Sequence, residues 1–124
     1  MEKLTVMVLG ETWTIIVSKE SDAPRLADLC GFCDESCHEI VIADRSGEAT
    51  VKNMMNVVLD TLRHELVHAF MFESGLGADW QHDHVGHDET VVDWIARLMP
   101  KIMKAYNSVR RKLEDMLNEE WNKE

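Results

Sequence analysis

The sequence lacks the features that mark a membrane protein or an exported one. No apolar run approaches the ~20 residues that a helix needs to cross a bilayer. The first ten residues include a short apolar run but no longer h-region with a cleavage site, so we interpret them as a strand and not as a signal peptide. We therefore expect a cytoplasmic protein without a membrane partner.

Cysteine is scarce, and the three that occur are Cys30, Cys33 and Cys37. In a cytoplasmic chain an odd number of cysteines argues against a disulfide framework. Together with His38, these thiols could supply four ligands to a structural zinc. Such sites usually combine two separate knuckles, whereas here all the ligands lie close together in sequence. Reduced, partly buried thiols around a strand turn are therefore the favoured interpretation.

Positive charge is also scarce. The chain has 13 Lys and Arg against 23 Asp and Glu, a formal net charge of −10. A nucleic-acid-binding protein normally presents a basic face, so this balance argues against DNA or RNA as a direct partner. Acidic residues follow closely on the basic ones near the C-terminal end, and we interpret that segment as a solvated helix face. The basic residues concerned are Lys101, Lys104, Arg110, Arg111 and Lys112.

The size and the N-terminal half of the chain predict one domain that contains a small sheet. At 124 residues, with 45% hydrophobic and 29% charged residues, we expect residues 1–124 to form a single globular domain. The β-branched segments 4–9 and 12–17 predict a β-hairpin. Residues 31–33 and 39–42 predict a second hairpin.

The C-terminal half predicts helices. Apolar residues at steps of three and four predict a long helix over residues 51–73, with Thr50 as its N-cap. Two C-terminal helices are predicted over residues 88–99 and 101–121, separated at Pro100. The predicted fold class is therefore α+β, with a small antiparallel or mixed sheet packed on the long helix and the two C-terminal helices.

The long helix carries the segment His64-Glu65-Leu66-Val67-His68. Two histidines four residues apart lie on one face of a helix, where both imidazoles can bind one Zn²⁺ ion. Glu65 follows the first histidine directly and can reach a water on the open side of that metal. This pattern predicts a zinc site with His64 and His68 as ligands.

A catalytic zinc site needs a third protein ligand. A third histidine in the pattern His-Glu-x-x-His-x-x-Gly-x-x-His is excluded, because Met71 and Ser74 occupy the decisive positions. Glu89, at the start of the next predicted helix, shares a face with apolar residues, so we expect it to point inward and bind the metal. Asp93, one turn later, could bind instead, but it is better placed to accept the free N–H of a ligand histidine.

The combination of His64-Glu65-x-x-His68 with Glu89-x-x-x-Asp93 resembles the gluzincin pattern of thermolysin-like metallopeptidases. In that family the Glu is the third zinc ligand and the Asp supports a ligand histidine. The surrounding residues look similar to those of small phage- and prophage-encoded metallopeptidases, and the second half also resembles ImmA/IrrE-type proteases. The resemblance covers about residues 32–101 and implies a minimal zincin-like domain with one Zn²⁺. Larger gluzincins hold the oxyanion with a separate domain, for which this chain is too short.

The expected function is zinc-dependent hydrolysis of a peptide bond in a peptide or protein substrate, with Glu65 as the general base acting on a zinc-activated water. The oxyanion could be held by a histidine of the 78–87 loop or by Tyr106, although core packing is favoured for Tyr106. The alternative is a non-catalytic, zinc-stabilised binding module in which a loop histidine closes the metal site. Glu65 favours catalysis, because a structural site does not need it. The loop histidines are His82, His84 and His87.

Overall fold

The computed structural model describes residues 3–48, 51–76 and 89–123, and at positions 89, 90, 92, 93 and 96 it describes the backbone alone. These ranges form four strands and two α-helices, with a short 3-10 helix at Pro24–Leu26. The elements in chain order are β1 (Leu4–Val8), β2 (Glu11–Ser18), β3 (Gly31–Asp34), β4 (Glu39–Ala43), α1 (Met54–Glu73) and α2 (Glu89–Trp121).

The four strands form one mixed sheet in the order β1-β2-β4-β3, which confirms the predicted α+β class. Both predicted hairpins are present, since β1 pairs antiparallel with β2 and β3 pairs antiparallel with β4. The two hairpins are joined by a parallel pairing between β2 and β4. The strands at the two edges of the sheet are therefore β1 and β3.

The β1–β2 hairpin turns through two residues. Leu9 and Gly10 connect Val8 to its partner Glu11, and both have positive φ angles, 50° and 88°. Two successive positive φ angles are the mark of a type I′ turn, whose twist matches that of the flanking strands. This turn sets a register in which Val6 lies opposite Trp13.

The main core lies between one face of the sheet and the two helices. Every second residue of the strands contributes to it, as expected from strand alternation. The helices contribute residues at steps of three and four. The fully buried members include Val8, Trp13, Ile15, Ile40, Ile42, Val58, Leu62, Leu66, Leu113 and Leu117. On the opposite face of the sheet a smaller cluster forms around Leu26, Val41 and Ala43.

Helix α1 begins three residues later than predicted. Its N-cap is Asn53, whose side-chain oxygen accepts a hydrogen bond from the backbone N–H of Asn56 at 3.1 Å. The predicted start at Val51 is therefore wrong, and Thr50, the predicted cap, lies outside the described residues. The cause is local, because an Asn at this position satisfies a free N–H of the first turn. The predicted end is confirmed, since Gly75 follows the helix with φ +82°.

Helix α2 is continuous from Glu89 to Trp121, so the predicted division at Pro100 is wrong. A proline inside a helix removes one hydrogen bond and costs about 3 kcal/mol. The buried stripe of α2 runs past this position on both sides at helical spacing, and burial of that stripe offsets the cost. The stripe includes Leu98, Ala105, Tyr106, Val109, Leu113 and Leu117. In the part of the chain that the structure describes, no helix combines the length and the apolar character that a membrane crossing requires.

Candidate metal centre

Helix α1 presents His64 and His68 on the same exposed face. Their ring centroids lie 4.9 Å apart, with the ring planes at 68° to each other. This is the consequence of a four-residue spacing in a regular helix. The adjacent residues Leu62, Leu66, Ala69 and Phe70 are buried in the core, so the face that carries the histidines is fixed by packing.

Glu65 completes a group that could hold a metal ion. One ligand atom from each of His64, Glu65 and His68 can be chosen so that all three lie within 4.8 Å of one another. Ligands of a tetrahedral Zn²⁺ ion, about 2.0–2.2 Å from the metal, lie about 3.4 Å from one another. The group of His64, Glu65 and His68 could therefore hold a metal ion if its side chains turn towards one another.

Glu65 is buried, with only 5% of its surface exposed. Burial raises the pKa of its carboxyl group, while the positive charges of His64 and His68 act in the opposite direction. Burial of a charged carboxylate is costly, and a cation or an ordered water next to it would reduce that cost.

Gly31 of β3 brings the sheet up to this part of α1. A Cβ atom at Gly31 would lie 2.7 Å from Cγ2 of Thr61, 2.8 Å from the backbone oxygen of Val41 and 3.5 Å from Oε2 of Glu65. Any side chain here would therefore push β3 away from the helix. The sequence analysis did not identify this glycine, because the reason for it is a contact with a residue 30 positions away.

Two adjoining cavities open on the motif. The smaller one, about 280 Å³, is lined by Gly31, Phe32, Cys33, His64, Glu65, His68 and Phe72. The larger one, about 820 Å³, shares Gly31, His64 and Glu65 and extends along the first half of α1. Its remaining lining residues are Leu29, Cys30, Asn56, Val57, Asp60, Thr61 and Arg63. The motif therefore faces a cleft between β3 and α1.

The three cysteines do not form a second metal site in the described residues, where the group found is His64, Glu65 and His68. Cys30 and Cys37 are exposed, and Cys33 is half-buried in the smaller cavity. Burial, together with the negative charge of Glu65, raises the pKa of the Cys33 thiol to about 12. This thiol therefore stays protonated at neutral pH in the metal-free protein. The favoured interpretation, three reduced and partly buried thiols around a strand turn, is correct about the burial of Cys33 and wrong about that of Cys30 and Cys37, which are exposed.

Tyr106 belongs to the core, as favoured above, and is only 6% exposed. Its hydroxyl accepts a hydrogen bond from Nη1 of Arg63 at 2.8 Å, and the guanidinium lies 5.3 Å from the ring centroid. Tyr106 lines neither cavity of the cleft. Its role is to fix Arg63, next to His64, against α2.

The C-terminal end of α1 is anchored to the sheet by a cluster that the sequence analysis missed. Nε1 of Trp13 donates a 2.9 Å hydrogen bond to Oε1 of Glu73. His38 stacks on the Trp13 ring at 4.9 Å, and its Nε2 lies 3.4 Å from the same carboxylate oxygen. Next to this cluster, Nε1 of Trp94 donates to Oγ of Ser74 at 3.0 Å, so the first turns of α2 lie beside the end of α1.

The remaining predicted site residues lie outside what the structure describes. These are the side chains of Glu89 and Asp93, which belong to the first turns of α2, and the loop residues His82, His84 and His87. Glu89 therefore stays a predicted third ligand, and Asp93 a predicted hydrogen-bond acceptor for a ligand histidine. The loop histidines stay candidates for holding the oxyanion or for supplying a fourth ligand.

No protein-family model, curated protein or solved structure matches this chain. The argument for function therefore comes from the site itself.

Proposed function

We propose that this protein hydrolyses peptide bonds with one bound Zn²⁺ ion. The observation that carries the proposal is the juxtaposition of His64, Glu65 and His68 at the mouth of a cleft. Two exposed imidazoles supply ligand nitrogens, and a buried carboxylate lies beside them and faces the cleft. We assign this carboxylate to proton transfer and not to the metal, because a structural site that it does not ligate would have no use for it.

In this proposal His64 and His68 hold the metal through ring nitrogens, and Glu89 supplies the third ligand from the start of α2. The Trp94–Ser74 hydrogen bond supports this choice, because it holds the first turns of α2 next to the end of the motif helix. Asp93 accepts the free N–H of one ligand histidine and so fixes its tautomer. When bound, Zn²⁺ lowers the pKa of a coordinated water and polarises the substrate carbonyl.

Glu65 acts as the general base. Its carboxylate takes a proton from the attacking water as the new C–O bond forms at the peptide carbonyl. The same proton then passes to the nitrogen of the leaving amine as the C–N bond breaks, so that one water is consumed and no further reactant is needed. Burial supports this role, because it raises the pKa of this carboxyl group in the metal-free protein, and a raised pKa favours proton transfer near neutral pH.

The cleft supports a peptide substrate. The larger cavity, about 820 Å³, combines apolar lining from Leu29 and Val57 with the polar groups of Asn56 and Asp60. This is the mixed character and the size expected of a ligand site. The cavity begins at His64 and Glu65, so a peptide lying in it would pass directly over the motif.

The test separates metal binding from catalysis. Wild-type protein should bind one Zn²⁺ per chain by metal analysis, and His64→Ala and Glu89→Ala should each lose it. Asp93→Asn should bind zinc about 10–100-fold more weakly. Undiminished zinc in Glu89→Ala would remove Glu89 from the ligand set.

Catalysis is then tested on a peptide library with Glu65→Gln, which keeps the size of the side chain. Cleavage should fall by on the order of 10²–10⁴-fold while zinc content and folding stay unchanged. The matched control is Glu119→Gln, at an exposed position on the far end of α2. If wild-type protein binds zinc but cleaves no more than Glu65→Gln, the zinc-stabilised binding module replaces the enzyme.

A further inference from the structure

Within the described residues β1 is paired on one side only, so its outer side, at the sheet edge opposite the candidate metal centre, offers backbone hydrogen-bonding groups. In a two-residue hairpin the residues flanking the turn exchange hydrogen bonds, and every second pair after them does the same. Val8, Val6 and Leu4 therefore bond to β2, whereas the N–H and C=O groups of Thr5 and Met7 point away from it. The backbone of Thr14 agrees with this alternation, since its N–H points away from β1 and donates to the backbone oxygen of His38 at 2.9 Å.

A groove of about 660 Å³ runs along this edge. Thr5, Val6, Met7 and Leu9 line one side, and residues of α2 line the other. Met7 is 56% exposed and Leu9 is 38% exposed, although both are apolar. An unpaired strand beside exposed apolar side chains is the kind of edge that accepts another strand.

The helix side of the groove is basic. Lys101, Lys104 and Lys112 line it together with Ser108, at spacings of three, four and four residues that place them on one face of α2. All three lysines are exposed, and none forms an ion pair with a carboxylate of the described residues. In a chain of net charge −10, three lysines along one groove give this part of the surface a local positive charge.

We propose that this groove binds an acidic segment of a partner protein in extended conformation. The segment adds a fifth strand to the sheet by pairing with Thr5 and Met7. Side chains of an added strand alternate between its two faces, so acidic residues at every second position face the lysines of α2. The intervening positions continue the outer face of the sheet beside Met7.

The charge of the groove also selects between occupants. A second copy of this chain, paired through its own β1, would bring two lysine rows together, and that repulsion disfavours the dimer. A basic strand is disfavoured for the same reason. An acidic strand forms the backbone hydrogen bonds and is also attracted to the lysines. Added salt weakens the attraction between charges but not the hydrogen bonds.

The probe is a fluorescein-labelled peptide of about seven residues that alternates Glu and Val, long enough to cover β1. Its binding is measured by fluorescence anisotropy, against a peptide that alternates Lys and Val. The acidic peptide should bind, the basic one should not, and affinity should fall as salt is added.

Two pairs of variants separate backbone pairing from charge. Thr5→Pro removes an N–H that points away from β2, so the sheet should tolerate it while the added strand loses a hydrogen bond. Thr5→Val keeps that N–H and is its control. Lys101→Glu combined with Lys104→Glu should weaken binding by about tenfold or more, whereas Lys52→Glu, at an exposed position outside the groove, should not.

The proposal is overturned if Thr5→Pro and Thr5→Val bind the acidic peptide equally, or if the basic peptide binds as well as the acidic one. It is also overturned if neither peptide binds. If sedimentation instead shows a wild-type dimer that Thr5→Pro dissociates, the proposal is wrong and the occupant is a second copy of this chain. None of these readouts involves zinc or cleavage, so they are independent of the proposed hydrolysis.

Discussion

The two edge strands of the sheet both contact a helix, but they differ in what lies beside that contact. At one edge β3 packs closely on α1, because Gly31 has no side chain to hold the two elements apart. At the other edge β1 also contacts α2, and a groove of about 660 Å³ lined with lysines runs beside it. In the described residues each of these strands is paired on one side only. One of them thus forms a wall of the candidate metal-binding cleft, and the other borders an accessible groove.

The electrostatic character of the two edges differs as well. The carboxylate of Glu65 lies at the β3 edge, and its charge contributes to the raised pKa of Cys33. The groove at the β1 edge is instead lined by Lys101, Lys104 and Lys112. This contrast in charge is the basis for proposing a cation at one edge and an acidic ligand at the other.

The largest effect on this comparison is expected at Gly31. In an open strand position Gly→Ala would stabilise by about 0.5–1 kcal/mol, because glycine loses more backbone freedom on folding. Here the added Cβ would lie 2.8 Å from the backbone oxygen of Val41, so we expect Gly31→Ala to destabilise by about 1–3 kcal/mol instead. Urea denaturation gives the difference in unfolding free energy.

A second variant shows whether the helix contact is the cause. Thr61→Ser removes the methyl group that meets this Cβ at 2.7 Å and keeps the hydroxyl that donates to the oxygen of Val57. Gly31→Ala combined with Thr61→Ser should therefore recover part of the loss. At the β1 edge, Thr5→Val should change stability by less than about 0.5 kcal/mol. A stabilising Gly31→Ala would show that β3 does not press on α1.

An intermediate effect is expected at Asp44, which follows β4 and holds the far end of α2. Its carboxylate accepts hydrogen bonds from the backbone N–H of Ser46 at 2.9 Å and from Nε1 of Trp121 at 3.4 Å, and it lies 3.5 Å from Nζ of Lys19. Burial raises the pKa of this carboxyl group, but the hydrogen bonds and Lys19 outweigh burial and lower the pKa overall. Asp44→Asn should cost about 1–2 kcal/mol at neutral pH.

The sign of the pH dependence follows from that lowered pKa. A carboxyl group that is more acidic in the folded state stabilises the fold above its unfolded pKa of about 3.9, and this contribution is lost as pH falls through the folded value. The difference between wild-type protein and Asp44→Asn should therefore be full near pH 7, shrink as pH falls below about 3.9, and vanish once the carboxyl group of the folded protein is protonated. Asp22→Asn, at an exposed position, is the control. A difference that stays constant from neutral to acid pH would contradict the role of the charge.

The sequence was sufficient to predict the features of this structure that depend on residues close together along the chain. The two hairpins, the end of α1 at Gly75 and the spacing of His64 and His68 are all set by local patterns. The pairing of β2 with β4 joins segments about 25 residues apart, and no local pattern specifies it. Pro100 misled the prediction for a related reason, since the burial that keeps α2 continuous involves residues on both sides of the proline.

The same distinction applies to the candidate site. The motif on α1 was identified from three residues within one helical turn. The β3 wall of the cleft, opposite the motif, was not identified from the sequence, because Gly31 matters only through its contacts with Thr61 and Val41. The Trp13–His38–Glu73 cluster likewise joins three separate segments, and its residues look unrelated in sequence.

The smallest effect is expected at Leu9, in the turn that determines which residues of β1 form hydrogen bonds with β2. Leu9 has a φ of 50°, a left-handed conformation that costs most residues about 1–2 kcal/mol but that Asn adopts more readily. Its side chain is 38% exposed, so little packing is lost on replacement. Leu9→Asn should therefore stabilise the protein by about 0.5–1 kcal/mol and raise Tm by about 2–4 °C. Leu9→Ala loses the same packing without easing the backbone, so it should be neutral or slightly destabilising. Equal melting temperatures for the two variants would show that the turn is not strained at Leu9.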